Sequence, residues 1–293
     1  MGDAMPARVL DGRAIATNVR AELKPLVTAR ARELGHPVGL AIVRVGADPA
    51  SAVYTRRLAH IAESIGVAAR EVELPYDTDD AALRAHLHAL NADRTVQGIL
   101  VQMPLPGHLS QRTVAESLDA SKDVDGISLV STGNLFLHLP TYVPSTCAAV
   151  LEILDRSDIS IAGRRAVVIG ASNVVGKPLA FMLLHRDATV TVCHIATRDL
   201  AAWTRQADIL VAAVGKPGLV TGDMVKPGAT VIDVGITVVE GSGEVVGDVD
   251  RASVREVAGA LTPVPGGVGP LTSLMLLEQC VTGPLVIGHS APD

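Results

Sequence analysis

Aromatic residues and cysteines are scarce in this chain of 293 residues. Phe, Trp and Tyr make up 2% of it, and its three cysteines are isolated from one another. An odd, sparse set of thiols without metal-ligand spacing excludes a disulfide scaffold and predicts a reducing cytoplasm. Since apolar residues still make up 48%, the cores must be aliphatic. This composition is typical of buried parallel strands covered by helices.

Long apolar runs and basic stripes are also missing. The longest runs, such as ILVAAVG, are too short to cross a bilayer, and the first residues lack the apolar core of a signal peptide. The net charge is −6 with both signs interspersed, so we expect no nucleic-acid partner and no membrane partner. The histidines are scattered without ligand spacing, so we expect no metal site. The chain has no G-x-S-x-G motif, so we expect no serine hydrolase.

Two stretches of the chain alternate between strand and helix patterns. In the first, apolar runs at VGLAIVRV, REVELP and VQGILVQMPLP are separated by helical segments, one of which begins near Ser51. In the second, AVVIGA, TVTVCH, ADILVAAVG and ATVIDVGI are the strand candidates. A helix is predicted over 13–34, although it contains Pro25, a residue type that kinks or splits helices. The alternation predicts α/β units with parallel sheets.

These patterns predict a two-domain α/β protein. An N-terminal α/β substrate domain would comprise residues 1–145 and be completed by the C-terminal helix 271–293. A Rossmann-like parallel-sheet domain for nucleotide binding would comprise residues 146–270. The cleft between the domains is the expected active site.

The segment AVVIGASNVVGKP carries the strongest physical signal. A buried strand leads into Gly170, and a helix opens near Gly176 and Pro178. Glycines permit a tight turn, and the helix N-terminus offers N–H groups to a pyrophosphate. The spacing departs from G-x-G-x-x-G, so an ordinary strand-to-helix turn remains the alternative.

Other candidate residues lie at strand ends and in one specialised loop. VAAVG and VIDVG each end in Val-Gly, and TPVPGGVGPLT combines stiff prolines with glycines that permit close approach. Gln102 follows a buried strand. Asp125 precedes Gly126, a context in which an aspartate is more often a turn residue than a functional one.

Together, DPASAVY, VQMPLP, KDVDGI, GASNVVGKP, DVG and TPVPGGVGPLT resemble the bifunctional methylenetetrahydrofolate dehydrogenase/cyclohydrolase family along nearly the whole chain. The resemblance implies a homodimer that pairs through its nucleotide-binding domains, a tetrahydrofolate substrate and NADP as cofactor, with NAD as an alternative. Tyr54 would border the pterin, Gln102 would orient the catalytic groups, and Asp125 would bind the pterin edge.

The resemblance also implies two wider sets of site residues. The substrate set is Ser51, Tyr54, Arg57, Leu58, Gln102, Pro104, Asp125, Pro265, Gly266 and Gly267. The cofactor set is Thr146, Gly170, Ala171, Ser172, Val175, Gly176, Pro178, His194, Ile195, Val214, Gly215, Gly235, Ile236, Gly269 and Thr272.

One departure from the family pattern decides the functional prediction. The family motif Ser-x-x-Tyr-x-x-x-Lys places a proton-carrying lysine four residues after the tyrosine, and Leu58 stands there in this chain. Hydrolysis needs a positioned acid or base, which increases the rate roughly 10²–10⁴-fold. Hydride transfer depends mainly on the orientation of the hydride donor and acceptor. We therefore predict a dehydrogenase with weak or absent cyclohydrolase activity. Arg57 is adjacent, but an arginine is a poor general base.

Three alternatives remain open at this point. Arg57 would compensate in a fully bifunctional enzyme. A paralogue acting on a different folate or pterin-like substrate would explain the rewritten segment 127–131, and a noncatalytic nucleotide-binding homologue would explain the missing lysine. The choice between NADP and NAD is also open. Some family members bind the 2′-phosphate of NADP with polar or basic residues at two positions that are Ala171 and Ile195 in this chain, and Arg198 could substitute for them.

Overall fold

The structure is a computed structural model that describes residues 6–239 and 241–285. The chain divides into two compact units. Residues 6–16 and 146–272 form one, which we call the large-sheet unit. Residues 17–145 and 273–285 form the other, the small-sheet unit. None of the helices in the described ranges is both long and apolar enough to cross a membrane.

The strands and helices follow one another in a mostly alternating order. They are β1 (Arg8–Val9), α1 (Gly12–Leu34), β2 (Gly39–Val45), α2 (Pro49–Ile65), β3 (Ala68–Leu74), α3 (Asp80–Ala92), β4 (Gly98–Val101), α4 (Gln111–Ser117), α5 (Leu129–Phe136), α6 (Ser145–Arg156), β5 (Arg165–Ile169), α7 (Gly176–Leu184), β6 (Thr189–Cys193), α8 (Leu200–Thr204), β7 (Ile209–Ala212), β8 (Thr230–Asp233), β9 (Thr237–Val238), β10 (Val245–Val246), α9 (Arg251–Arg255), β11 (Ala260–Leu261) and α10 (Gly269–Thr282). A 3₁₀ turn covers Gly222–Met224.

The small-sheet unit contains a three-stranded parallel sheet in the order β3-β2-β4. All seven residues of β2 are buried, which is why its sequence is a near-continuous apolar run. The core beside this sheet includes Val43, Leu83, Leu87 and Ile99. The predicted α/β pattern is confirmed here, and the carboxyl ends of β2 and β4 lie at one edge of the sheet.

The large-sheet unit contains a six-stranded parallel sheet in the order β1-β11-β8-β7-β5-β6. Its core is aliphatic and includes Val167, Leu210, Val231 and Leu261. A short antiparallel hairpin of β9 and β10 follows β8. The predicted parallel sheet of the nucleotide-binding type is confirmed.

The first described residues differ from the predicted domain assignment, which put residues 1–145 in one domain. Strand β1 pairs with β11, with Arg8 opposite Ala260, and the N–H of Leu10 donates to the carbonyl of Leu261 at 2.9 Å. These hydrogen bonds assign residues 6–16 to the large-sheet unit. Of the predicted C-terminal helix 271–293, residues 286–293 lie outside the described part of the chain.

Pro25 does not interrupt α1, which runs unbroken from Gly12 to Leu34. Val19, Leu23 and Val27 are all buried on one face of this helix. Their packing offsets the one backbone hydrogen bond that a proline removes.

Candidate functional site

Helix α2 is fixed at both ends by its own sequence. The carboxylate of Asp48 accepts the N–H of Ser51 at 2.7 Å, so Asp48 is the N-cap. Gly66 ends the helix in the left-handed conformation, with φ 93°, and donates to carbonyls of the last turn. This capping sets the rotation of the helix, and therefore which side chains face inward.

The inward face of α2 carries Ser51, Thr55 and Leu58, all of them buried. Leu58 is 0% exposed and ranks among the largest fully buried side chains of the described residues. Tyr54, one turn before Leu58, is only partly covered, whereas Arg57 is exposed. The position of the family lysine is therefore occupied by an apolar side chain without access to solvent.

Tyr54 lies close to Arg57 of its own helix and to groups from two other parts of the small-sheet unit. Burial raises the pKa of Tyr54, and the carboxylate of Asp125 raises it further. A hydrogen bond with Ser273 and the charge of Arg57 lower the pKa. The fold thus brings together Tyr54, Asp125 and Arg57 from the predicted substrate set. It adds Ser273, which no sequence motif had indicated.

Asp125 is held by the start of helix α6. Its Oδ1 accepts the backbone N–H of Ser145 at 3.0 Å and the Ser145 hydroxyl at 2.8 Å. Burial nevertheless raises the pKa of Asp125 to about 6, and the carboxylate of Asp123 contributes in the same direction. A carboxyl group with this pKa changes charge near neutral pH, so it is suited to binding or proton exchange. Ser145 had not been predicted as a site residue.

Gln102 follows β4, as predicted, and is buried. Its N–H donates to the carbonyl of Val43 at 2.8 Å, but its side-chain Nε2 has no hydrogen-bond partner among the described residues. The buried hydroxyl of Thr55 likewise has no hydrogen-bond partner among the described residues. A buried polar atom without a partner costs about 1–3 kcal/mol, which a polar group of a substrate would offset. Pro104 follows a cis peptide bond two residues after Gln102.

The rewritten segment 127–131 forms the start of helix α5. The buried carboxylate of Asp123 accepts the N–H groups of Ile127 and Ser128 at 3.0 and 2.7 Å. The Ser128 hydroxyl accepts the N–H of Ser131 at 3.1 Å and serves as the N-cap. The residues of this segment are therefore engaged in local structure.

In the large-sheet unit, the turn from β5 to α7 is as tight as its glycines predict. Gly170 has φ +116°, and a Cβ there would lie 2.2 Å from the carbonyl oxygen of Ala213. A Cβ on Gly176 would lie 2.0 Å from the carbonyl oxygen of Gly170. The hydroxyl of Ser172 accepts the N–H groups of Val175 and Gly176 at 3.1 and 3.4 Å. Only glycine fits these two positions.

The same turn offers backbone donors of the kind that bind a pyrophosphate. The backbone N–H groups of the exposed residues Ser172, Asn173 and Val174 have no hydrogen-bond partner among the described residues. They precede the N-terminus of a nine-residue helix, which adds positive potential. Ala171 lies beside Gly170 in the turn, and Pro178 is buried in the first turn of the helix.

The other cofactor candidates lie at the carboxyl ends of neighbouring strands. His194 and Ile195 follow β6 directly, Val214 and Gly215 come two and three residues after β7, and Gly235 and Ile236 come two and three residues after β8. Because β8, β7, β5 and β6 are adjacent and parallel, these residues lie along one edge of the sheet. Ligands bind at this edge of open α/β sheets.

The loop 262–269 belongs to the large-sheet unit and is closely packed against the start of α1. A Cβ on Gly12 would lie 1.8 Å from the carbonyl oxygen of Gly267, and one on Gly266 would lie 3.2 Å from Nε of Arg13. Pro265 follows a cis peptide bond. These predicted folate contacts are therefore in a different unit from Tyr54, Gln102 and Asp125.

The remaining cofactor candidates are helical. Gly269 begins α10, and the hydroxyl of Thr272 donates at 3.3 Å to the carbonyl of Val268, the residue before that helix. Thr146 is the second residue of α6 and is partly buried. Among the described residues, no three His, Cys, Asp or Glu side chains are grouped to hold a metal ion.

Two family models match the chain. Residues 10–125 match the catalytic domain of tetrahydrofolate dehydrogenase/cyclohydrolase, and residues 144–284 match its NAD(P)-binding domain. A curated relative is the bifunctional protein FolD of Roseiflexus castenholzii. It is 51% identical over 276 residues, which are 94% of this chain and 95% of the relative.

Two solved structures are similar along the chain. The bifunctional FolD dehydrogenase/cyclohydrolase of Campylobacter jejuni has a TM-score of 0.92 and 43% identity, covering 94% of this chain and 98% of its own. The FolD of Trypanosoma brucei, solved with NADP and an inhibitor, has a TM-score of 0.89 and 39% identity. That match covers 94% of this chain and 97% of the other.

Proposed function

The chain belongs to the tetrahydrofolate dehydrogenase/cyclohydrolase family, and we propose that its cyclohydrolase activity is weak or absent. It is an NAD(P)-dependent methylenetetrahydrofolate dehydrogenase, for which NADP is the family cofactor. The reaction converts 5,10-methylenetetrahydrofolate to 5,10-methenyltetrahydrofolate. Bound NADP supplies the acceptor for the hydride that leaves the one-carbon bridge.

The observation that carries this proposal is the burial of Leu58 one turn after Tyr54. Hydrolysis of the methenyl bridge requires a group that gives or takes a proton beside the folate. A leucine side chain does neither, and this one is 0% exposed. Within the described part of the chain, the groups that shift the pKa of Tyr54 are a carboxylate, a hydroxyl and a guanidinium, and none is a lysine or a histidine.

The dehydrogenase step makes smaller demands on the same residues. Hydride transfer is accelerated when donor and acceptor carbons are held in contact, and this needs orientation rather than a proton carrier. Asp125 and Gln102 would bind polar groups of the pterin, and the partly covered Tyr54 would lie against its ring. The buried Nε2 of Gln102, unpaired among the described residues, supports a contact with substrate.

A second candidate is full bifunctionality with Arg57 in the role of the lysine. Its support is that the charge of Arg57 lowers the pKa of Tyr54, so the guanidinium is within electrostatic range of the site. The curated relative from R. castenholzii is also called bifunctional. Against it, a guanidinium stays protonated at working pH, so it can stabilise charge but cannot act as a base.

The test is an assay with two readouts on the purified protein. Methylenetetrahydrofolate is supplied with NADP or with NAD, and reduced nicotinamide and methenyltetrahydrofolate are followed together. Added methenyltetrahydrofolate is then tested for decay above the spontaneous rate. We expect nicotinamide reduction with accumulation of the methenyl product. No turnover would overturn the proposal and point to a different folate substrate or a binding role.

Variants separate the two candidates. Leu58→Lys should accelerate methenyl decay, and Leu58→Met controls for a change in shape without charge. If the wild type accelerates this decay and Arg57→Gln abolishes the acceleration, the bifunctional alternative is correct. Nicotinamide reduction by each variant reports whether the protein still folds.

We also propose that the protein is a homodimer in the cytoplasm, paired through its large-sheet units. Leu184 in α7 and Trp203 in α8 are 52% and 45% exposed, and apolar side chains of this size are common at subunit interfaces. The three cysteines are buried and lie outside any disulfide, which fits a reducing compartment. Sedimentation of the wild type and of Leu184→Glu would test the dimer.

A further inference from the structure

Helix α5 exposes most of its large apolar side chains to solvent. Its buried residues are Ser131 and Leu135. A surface helix ordinarily has the opposite pattern, with its apolar side chains against the core and polar ones outside. Large apolar side chains that are each between 57% and 63% exposed cover the outer face of α5: Leu129, Val130, Phe136 and Leu137.

These exposed side chains form one continuous stripe. They occupy positions i, i+1, i+7 and i+8 of the helix, and residues at such spacings share one face. Gly133 occupies position i+4 in the middle of the stripe, where a Cβ would meet nothing within 4 Å among the described residues. A glycine at this place lets another backbone approach closely. We call Leu129, Val130, Gly133, Phe136 and Leu137 the α5 stripe.

Hydrogen bonds on the inner face of α5 prevent the helix from rotating to bury the stripe. The Ser128 hydroxyl accepts the N–H of Ser131 at 3.1 Å, and the N–H of Ser128 donates to the carboxylate of Asp123 at 2.7 Å. The Thr141 hydroxyl donates to the carbonyl of Ser131 at 3.3 Å. Rotation would break these bonds and deprive a buried carboxylate of a donor, which is costly. The exposure of the stripe is therefore a fixed property of the fold.

The C-terminal end of α5 extends the apolar surface. The N–H of His138 donates to the carbonyl of Leu135 at 3.2 Å, and His138 has the left-handed φ of 59°. The N–H of Leu139 donates to the carbonyl of Asn134 at 2.9 Å. These two bonds form a Schellman motif, which folds the residue after the left-handed one back onto the last turns of the helix. That residue is Leu139, which is 49% exposed.

The surface around the stripe is uncharged. Residues 126–144 contain no Asp, Glu, Lys or Arg. Two identical copies of this surface can therefore meet without bringing like charges together and without burying a charge. A nucleic-acid or anionic lipid surface would require basic residues beside the stripe, and this segment has none. The charge pattern thus favours a second copy of the chain as the partner.

The area of the stripe suits a reversible contact. An aromatic side chain presents roughly 150–250 Å², so Phe136, at 61% exposure, presents about 100 Å² or more. The large side chains of the stripe together with Leu139 present on the order of 400 Å². Two copies would bury about 800 Å² between them, which is typical of weak contacts that depend on protein concentration.

We propose that the α5 stripe pairs with the α5 stripe of a second copy across a two-fold axis, helix against helix. Removal of these apolar side chains from water drives the association. The contact belongs to the small-sheet unit, so it is separate from the dimer contact proposed for the large-sheet unit. A chain that has both contacts assembles beyond a dimer.

The test is analytical ultracentrifugation of the intact protein over a range of concentrations. We expect the wild type to form species larger than a dimer as the concentration rises. Leu137→Glu should weaken this association on the order of 100-fold, because each copy would bury an unpaired carboxylate. Leu26→Glu is the matched control, since Leu26 is 46% exposed in α1 of the same unit. It should leave the association unchanged.

Leu184→Glu separates the α5 contact from the large-sheet contact. This variant should still form a dimer through α5, and Leu137→Glu combined with Leu184→Glu should be monomeric at every concentration. A wild-type dimer that Leu137→Glu dissociates and Leu184→Glu leaves intact would support the α5 contact and exclude the large-sheet contact.

Phe136→Glu is a second variant of the stripe, and circular dichroism reports whether each variant is folded. Folded stripe variants that associate as strongly as the wild type would overturn the proposal. Cosedimentation of the wild type with phosphatidylcholine vesicles, lost in both stripe variants, would also overturn it and assign the stripe to a lipid surface. These measurements involve neither folate nor nicotinamide, so their outcome is independent of the proposed reaction.

Discussion

Asp248 donates its backbone N–H to the carboxylate of Asp233 at 3.0 Å, and both side chains are buried. The carboxylate of Asp248 in turn accepts the N–H groups of Val214, Gly215 and Lys216 at 2.6, 3.1 and 2.7 Å. The carboxylate of Asp233 thus holds the backbone of Asp248, and the carboxylate of Asp248 holds the loop after β7, where cofactor contacts are predicted.

Asp248→Asn should destabilise the protein. An amide replaces one accepting oxygen with an NH₂ group, so at least one of the three backbone donors loses its acceptor. A buried donor without a partner costs about 1–3 kcal/mol, and we expect a loss of that size in the free energy of unfolding measured in urea. Asp223→Asn, at an exposed side chain, is the matched control and should be near neutral. Equal effects from both variants would contradict this role for Asp248.

Asp233 should make stability depend on pH. Burial raises its pKa to about 6, against three backbone N–H donors that lower it. Since the unfolded value is about 3.9, the folded protein holds a proton between pH 4 and 6 that the unfolded chain releases. The free energy of unfolding should therefore fall as pH rises through this window, by on the order of 3 kcal/mol.

The comparison with Asp233→Asn isolates this contribution, because the amide does not titrate and the other groups are shared. The stability of the wild type relative to the variant should decline from pH 4 to pH 7, as measured by urea unfolding at each pH. A constant difference across that range would rule out the raised pKa.

Asp125 should control the pH dependence of folate use. Burial raises its pKa to about 6, so an ionised carboxylate that binds the pterin would be lost below that pH. We expect kcat/KM for methylenetetrahydrofolate to fall about tenfold per pH unit below the pKa.

Ser145→Ala provides the diagnostic for this assignment. The hydrogen bonds from Ser145 lower the pKa of Asp125, and the variant loses the one from its hydroxyl. The inflection in the pH profile of kcat/KM should therefore move to higher pH. Asp125→Asn should abolish the inflection, and a wild-type profile that is flat between pH 5 and 7 would exclude the proposed role.

Gly176→Ala should disrupt the turn from β5 to α7. Its Cβ would lie 2.0 Å from the carbonyl oxygen of Gly170, so the backbone must move. Such overpacking typically costs 1–3 kcal/mol, and we expect lower stability together with weaker NADP binding by calorimetry. Gly133→Ala is the control, because its Cβ would meet nothing within 4 Å and it lies in α5. It should stabilise slightly, and similar losses in both variants would refute the steric argument.

The sequence predicts those parts of the fold that have a local signal. The apolar run of β2 and the glycines at 170 and 176 identify a buried strand and a tight turn without any knowledge of the fold. The two-residue strand β1 has no such pattern, because its role depends on pairing with β11. For this reason the sequence carries no signal that residues 6–16 join the large-sheet unit.

The same reasoning applies to the candidate site. The resemblance predicts Tyr54 and Asp125 as site residues, and the carboxylate of Asp125 raises the pKa of Tyr54. Ser273 and Ser145 contact them from distant parts of the sequence and have no local signature. Asp248 lies in GDVD, which looks like an ordinary turn, and only the fold brings its carboxylate to the loop after β7.

The pairing of β1 with β11 has a consequence for synthesis of the protein. Strand β1, at one edge of the six-stranded sheet, is the first of the six strands to be made, and its partner is made about 250 residues later. The large-sheet unit therefore cannot complete its sheet until residues 260–261 have been synthesised. The three strands of the small-sheet unit are all made within the first 101 residues, so this sheet can form on the nascent chain well before the other.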